Sequence, residues 1–182
     1  MNATGLVRMF VSVEVPMELR EKVAGLAKEL PEDSVRPVKP DGMHLTLKFI
    51  GEVKPERMGE IEQRLRAVEF SPFTVSLKGT GVFPNEDYVR VAWVGVESGQ
   101  LNDLAEKVIK ALEGIGKKED RGFSAHLTVA RVKKKIDVKE FLEKHKDEEF
   151  GSFEVDRFFL MQSELEFGKP PKYTVLAEFA SS

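Results

Sequence analysis

Two histidines, His44 and His126, sit in near-identical stretches: Met43-His44-Leu45-Thr46-Leu47-Lys48 and Ala125-His126-Leu127-Thr128-Val129-Ala130. On a β-strand, residues two apart point to the same face. His44 therefore shares a face with Thr46, and His126 with Thr128, while the leucines and valine between them turn toward a core. Two such strands across a cleft would offer two imidazoles and two hydroxyls to one ligand. That set suits phosphodiester chemistry. A neutral imidazole takes a proton from the attacking water, and a protonated one donates to the departing oxygen. An ordinary histidine titrates near 6.5, so both forms are accessible near neutral pH. The hydroxyls can donate to nonbridging oxygens as charge develops. A lone strand histidine is more often a hydrogen-bonded core residue. Here two of only 3 histidines lie in matching triplets, which favours function. Neither triplet has a carboxylate or third histidine at zinc-ligand spacing, and no metal is expected.

The elements that must hold these residues can be read from periodicity. Met9–Val15 reads as a strand closed by Pro16, and 18–30 as a helix with Leu19, Val23, Leu26 and Leu30 on one face. Residues 35–42, with two prolines and a glycine, read as a connection. Residues 43–50 form a strand ended by Gly51, and Pro55 opens a helix to about 68. Strands are expected at 73–77 and 88–96, with a Gly-Pro-Asn-rich turn region between them. A helix follows at 101–112, then a strand at 124–132, a short helix at 138–145, and strands at 153–162 and 173–179. No Gly-rich turn follows a strand and no regular βαβ run appears. The pattern points to α+β with antiparallel sheets, and the duplicated triplet to two related lobes around a shared cleft.

Composition narrows the class. At 182 residues, with 41% hydrophobic and 32% charged, the chain can bury a real core. No apolar run is long enough to cross a membrane, and no signal pattern opens the chain, so a cytoplasmic location is expected. With no cysteine, disulfides and thiolate chemistry are excluded. Proteins that grip long nucleic acid nonspecifically carry a basic excess; a net charge of −3 and a pI of about 5.8 argue against that class. Recognition of a strand end in a small pocket stays open.

The residues beyond the triplets read less sharply. Lys48 shares parity with His44 and Thr46, which makes a ligand role geometrically easy. Arg131, five residues after His126, would face away from it on an unbroken strand. Lys133-Lys134-Lys135 reads as a solvated turn that could guide a nucleic-acid backbone. Phe10 and Phe123 could stack on a base, though core is the plainer reading. Trp93 reads as core, and His145, flanked by Lys144 and Lys146, as exposed and inert.

Together these residues resemble the two HxTx motifs of the 2H phosphoesterase superfamily, and within it the RNA 2′,3′-cyclic phosphodiesterases, also called 2′-5′ RNA ligases. The resemblance runs through Arg8–Val13, His44–Gly51, Ser124–Arg131, Gln162–Leu165 and Gly168–Tyr173. It implies an α+β fold: one bilobed, pseudo-symmetric domain over residues 1–182, with two antiparallel sheets flanked by helices and a central cleft. It implies hydrolysis of a terminal 2′,3′-cyclic phosphate to a 2′-phosphomonoester, with His44 as proton donor to the 3′ oxygen and His126 as proton acceptor. Thr46 and Thr128 would assist, and Lys48 and Arg131 would contact substrate, Arg131 through a bend in its strand. Expected partners are RNA ends, tRNA fragments among them. The chain would act as a monomer without metal or cofactor, with ligation as the reverse reaction in vitro. The residues alone leave the acid and base roles open, because the triplets are symmetric. They also leave open a small cyclic nucleotide or a 2′-5′ oligonucleotide as substrate, or a module that binds RNA ends or nucleotides and turns over poorly.

Overall fold

The computed structural model describes residues 5–117 and 123–182. Its elements in chain order are β1 (Val7–Glu14), α1 (Met17–Gly25), β2 (Val35–Pro37), β3 (His44–Val53), α2 (Met58–Arg66), β4 (Phe73–Asn85), β5 (Tyr88–Glu97), α3 (Gly99–Ala111), β6 (His126–Val132), α4 (Lys139–Lys144), β7 (Glu149–Val155), β8 (Arg157–Glu164) and β9 (Lys172–Ala180). The strands form two sheets of order β3-β1-β8-β9 and β2-β6-β5-β4-β7, with every described pairing antiparallel. The expected α+β arrangement of two antiparallel sheets with helices is therefore the observed one. Among the described residues no helix is long and apolar enough to cross a membrane.

The two lobes are not the two halves of the sequence. β1 and β3 lie in one sheet and β2, between them, lies in the other; β4 to β7 stay in the second sheet before β8 and β9 return to the first. The crossing into β8 falls at Asp156, inside what reads as a single strand over 153–162. Phe153, Val155, Phe158 and Leu160 are all buried on either side of it, and no glycine or proline marks the switch. Residues 35–37, expected as connection, are a short edge strand bonded to β6. The region 78–85, expected as a turn, continues β4. Its glycines mark irregular pairing and close approach. Gly79 has φ +67° at a register shift, and a Cβ on Gly81 would fall 2.2 Å from the Trp93 ring.

Helix α3 shows how the sequence holds the first lobe. Ser98 caps it by accepting from the Leu101 N–H at 3.3 Å, a contact type worth about 1 kcal/mol. Leu101, Leu104, Ala105 and Val108 recur at helical spacing and are fully buried, with α3 packed on β3. Each buried leucine contributes at most about 1.5–3 kcal/mol. One continuous apolar cluster then joins residues of both sheets, including Val11, Leu45 and Leu47 from one and Val94, Leu127 and Val129 from the other. The triplet strands β3 and β6 touch between the sheets.

Candidate active site

Strands β3 and β6 repeat one another in more than sequence. From His44 to Ile50 and from His126 to Val132 the burial runs the same way: half-buried, buried, half-buried, buried, buried, exposed, buried. The alternation breaks after the threonine in each. On β3, Ser12 pairs with Thr46 but Val11 with Lys48, so Leu47 is bulged out. On β6, Trp93 pairs with Thr128 but Ala92 with Ala130, so Val129 is bulged. The Val129 carbonyl accepts from Val38 N–H at 2.9 Å. A bulge adds one residue and reverses the facing of everything after it.

The bulges change the facing of two residues in opposite ways. Lys48 loses the parity that suggested a ligand role: it pairs with the fully buried Val11, is 4% exposed, and donates to the Lys117 carbonyl at 3.4 Å. Arg131 gains what an unbroken strand denied it. It is exposed and falls on the face of His126 and Thr128. Its equivalent on β3 is Phe49, which is 58% exposed.

His44 lies against aromatic rings. Phe10 stacks on it at 4.7 Å between centroids and 26° between planes, and Tyr173 meets it edge-on at 4.8 Å. Phe10, Phe159 and Met161 form a small cluster apart from the main core, with Tyr173 packed on it. Phe10 is thus buried, but beneath the histidine rather than in the main core. Burial first, and the nearby Arg20 charge second, push the His44 pKa down to about 4. Without a ligand the imidazole is neutral at neutral pH. Arg20, on α1, carries a buried Nε with no hydrogen-bond partner. Nothing in its helical position marked it beforehand.

His126 has a different setting. Its Nδ1 lies 2.8 Å from the Ser124 carbonyl oxygen, which can only accept, so Nδ1 carries the hydrogen. In the neutral ring that leaves Nε2 as the unprotonated nitrogen. Phe83 meets the ring edge-on at 5.0 Å and Trp93 lies at 6.4 Å. Trp93, read as core, instead sits on the histidine side of its sheet, paired with Thr128 and lying over Gly81. The sheet spares the room because residue 81 has no side chain.

Charge links the two sides. The Tyr173 hydroxyl is held above its usual pKa by burial, against the pull of the Arg131 and Arg8 charges. Arg131 from β6 therefore lies within electrostatic reach of the tyrosine that touches His44. Three guanidinium groups, Arg8, Arg20 and Arg131, bear on this region in a chain of net charge −3. In the lysine run, the Lys133 and Lys134 N–H groups donate to the Ser34 carbonyl, and Lys134 pairs with Asp33 at 3.5 Å. Phe123 is half-buried against the main core.

His145 is not the exposed residue its lysine neighbours suggest. It is 3% exposed, with Nδ1 against Glu148 and Nε2 2.9 Å from Glu29. Burial lowers its pKa, but the two carboxylates outweigh that and the net shift is upward. It ties α4 to the turn after α1. Among the described residues no cluster of three or more His, Cys, Asp or Glu could hold a metal ion.

Comparison with known proteins adds to this geometry. A family model described as LigT-like phosphoesterase matches residues 10–93 and again 94–171, one match per triplet. The chain is similar to a protein of Archaeoglobus fulgidus named RNA 2′,3′-cyclic phosphodiesterase, 45% identical over 175 residues, covering 94% of this chain and 99% of the relative. A protein of the same name from Methanocaldococcus jannaschii is 32% identical with the same coverage. Among solved structures, TT0787 of Thermus thermophilus superposes with a TM-score of 0.81 at 33% identity, over 95% of this chain and 97% of that one. LigT of E. coli complexed with 3′-AMP superposes with a TM-score of 0.82 at 26% identity, over 97% and 99%.

Proposed function

This chain belongs to the LigT-like phosphoesterase family, and from that membership we propose that it hydrolyses a terminal RNA 2′,3′-cyclic phosphate to a 2′-phosphomonoester by two-histidine acid–base catalysis. The observation that carries the reading is the pair of bulged strands, each turning a histidine and a threonine to the same side.

Water attacks phosphorus in line with the 3′ oxygen. The Nε2 of His126 takes the water proton, its ring oriented by the bond from Nδ1 to the Ser124 carbonyl. As the bond to O3′ breaks, His44 donates a proton to that oxygen. The depressed pKa of His44 makes this proton conditional. A phosphate anion beside it offsets the Arg20 charge and stabilises the imidazolium, so the acid is charged when substrate is in place. Thr46 and Thr128 donate to the nonbridging oxygens. Arg131 holds the phosphate or the upstream backbone by its planar fork. Lys48, whose facing is reversed by the bulge, reaches the Lys117 carbonyl and ties β3 to the segment after α3. A 5′-hydroxyl in place of water gives a 2′-5′ linkage, which makes ligation accessible in vitro. The substrates are RNA ends, tRNA fragments among them, and the protein works as a cytoplasmic monomer without a metal or other cofactor.

The test is to incubate the protein, in excess EDTA, with RNA ending in a 2′,3′-cyclic phosphate and to identify the product by phosphorus NMR. A 2′-phosphate is expected. Loss of activity with chelator, regained with a divalent ion, would end the metal-free account. A mainly 3′-phosphate product would reverse the placement of the leaving oxygen.

A further inference from the structure

The short strand β2 brings a further cation beside the second triplet. Arg36 is the direct cross-strand partner of Arg131. Partners in an antiparallel pair share a face. The neighbouring pair, Val35 and Val132, is buried, so Arg36 and Arg131 turn to the other face, where both are exposed. We propose that the two guanidinium groups form a second phosphate site, which takes the phosphodiester on the 5′ side of the terminal nucleotide and so favours an RNA strand over a mononucleotide. The inference rests on the reading that the substrate ends in a ribonucleoside 2′,3′-cyclic phosphate.

Like charges directly opposite one another weaken a sheet. Among the described residues no carboxylate is bonded to Arg36 or Arg131 to offset that cost. Elsewhere the surface arginines have such partners: Arg57 and Arg64 hold Glu60 at 2.9 and 2.8 Å, and Arg157 holds Asp156 and Glu178 at 2.9 and 2.6 Å. Two planar forks facing one another can share a single phosphate between them. The pair is fixed from both ends of β2. Val38 N–H donates to the Val129 carbonyl at 2.9 Å, and Lys133 N–H to the Ser34 carbonyl at 2.8 Å.

The position suits the next phosphate rather than the reacting one. Trp93 pairs with Thr128 and Val91 with Arg131, so the arginine row lies two residues of β5, about 7 Å, from the threonine of the triplet. That is comparable with the step between successive phosphates of an RNA strand. The row also borders the His44 side. The Arg131 charge bears on Tyr173, and past β2 the chain reaches Gly42, where an added Cβ would lie 3.7 Å from the Tyr173 ring. Because β2 is the edge of its sheet, a bound strand can leave over it. A net charge of −3 argues against a general grip on RNA, and two cations one phosphate from the reacting end supply a local one.

The experiment compares wild type with Arg36→Ala and Arg36→Lys on a nucleoside 2′,3′-cyclic monophosphate and on a dinucleotide ending in the same cyclic nucleotide. Wild type should prefer the dinucleotide. The loss in kcat/KM caused by Arg36→Ala should be about tenfold greater on the dinucleotide than on the mononucleotide, carried by KM. Arg36→Lys keeps the charge without the fork and should recover part of that loss. A dinucleotide joined by an uncharged methylphosphonate should not show the extra loss. Arg36→Ala should melt no lower than wild type, because it relieves the repulsion with Arg131. Equal losses on both substrates, or an alanine variant that keeps the full dinucleotide preference, would overturn the proposal. Failure of wild type to open either cyclic phosphate would count against the catalytic reading instead. The site is then read from binding. A dinucleotide 2′-phosphate should bind wild type more tightly than a nucleoside 2′-phosphate, and Arg36→Ala should remove the margin; equal affinities in wild type would overturn the proposal.

Discussion

The two histidine strands have the same backbone and different surroundings. Both break their alternation at the residue after the threonine, and both bury and expose the same positions. Yet His44 lies against Phe10 and Tyr173 near the Arg20 charge, while His126 bonds a carbonyl and meets Phe83 edge-on, with the tilted Trp93 ring farther off. A symmetric scaffold cannot by itself tell an acid from a base. Neighbouring side chains do so, by setting which ring holds a proton and when. The same division appears at the equivalent positions Phe49 and Arg131, one an open aromatic face and the other a cation.

The largest expected effect comes from breaking either side. His44→Ala and His126→Ala should each lose about 10²- to 10⁴-fold in turnover on cyclic-phosphate RNA. Near wild-type turnover in one of them would mean the two strands are not partners in catalysis. Next are Thr46→Val and Thr128→Val, each expected to cost on the order of 10²-fold by removing a donor to developing charge while keeping shape. A slow appearance of 3′-phosphate in either variant would show that the hydroxyls also fix which oxygen leaves.

A smaller effect should separate the residues that the bulges redirected. Arg131→Ala should raise KM for RNA roughly tenfold, as for loss of a charged hydrogen bond. Lys48→Ala should lower the melting temperature and leave KM nearly constant. The opposite pattern would mean that the facing inferred from the register is wrong.

The finest test is titration. His44 should titrate at about 4 in the free protein when its ring carbons are followed by NMR, and a nucleotide 2′-phosphate should move it upward. The sign carries into stability. The folded ring resists protonation down to about 4, whereas the unfolded one takes a proton near 6.5. Its contribution is therefore present above 6.5 and lost as pH falls toward 4. His145, raised by its two carboxylates, contributes the other way: its stabilisation is present below 6.5 and fades as pH rises through the higher folded value. A His44 that titrates near 6.5 without ligand would remove the asymmetry between the strands.

The sequence showed the triplets, their shared facing and the α+β class, because these follow from residue spacing along single elements. It hid what depends on partners. The bulges fall on Leu47 and Val129, apolar residues that leave no mark in the alternation until the register with β1 and β5 is known. That is why parity along an unbroken strand put Lys48 on the histidine face and Arg131 off it, where the register has the two reversed. Gly79, Gly81 and Pro84 read as a turn because the glycines' use, admitting Trp93 and an irregular pairing, lies across the sheet. His145 looked solvated because its partners include Glu29, distant in sequence. Tyr173 was within reach, since it closes the C-terminal segment of the resemblance, but its contact with His44 needed the fold.

The assignment of one histidine as acid and the other as base is tested most directly by changing the leaving atom. A 2′,3′-cyclic phosphorothiolate with sulfur in place of O3′ leaves as a thiolate, which needs no proton. If His44 is the acid, His44→Ala should recover most of its lost rate on the sulfur substrate, while His126→Ala, still lacking its base, should remain slow. Recovery of His126→Ala alone would exchange the two roles. Recovery of neither, with both variants folded, would contradict the account of paired acid and base on twin strands.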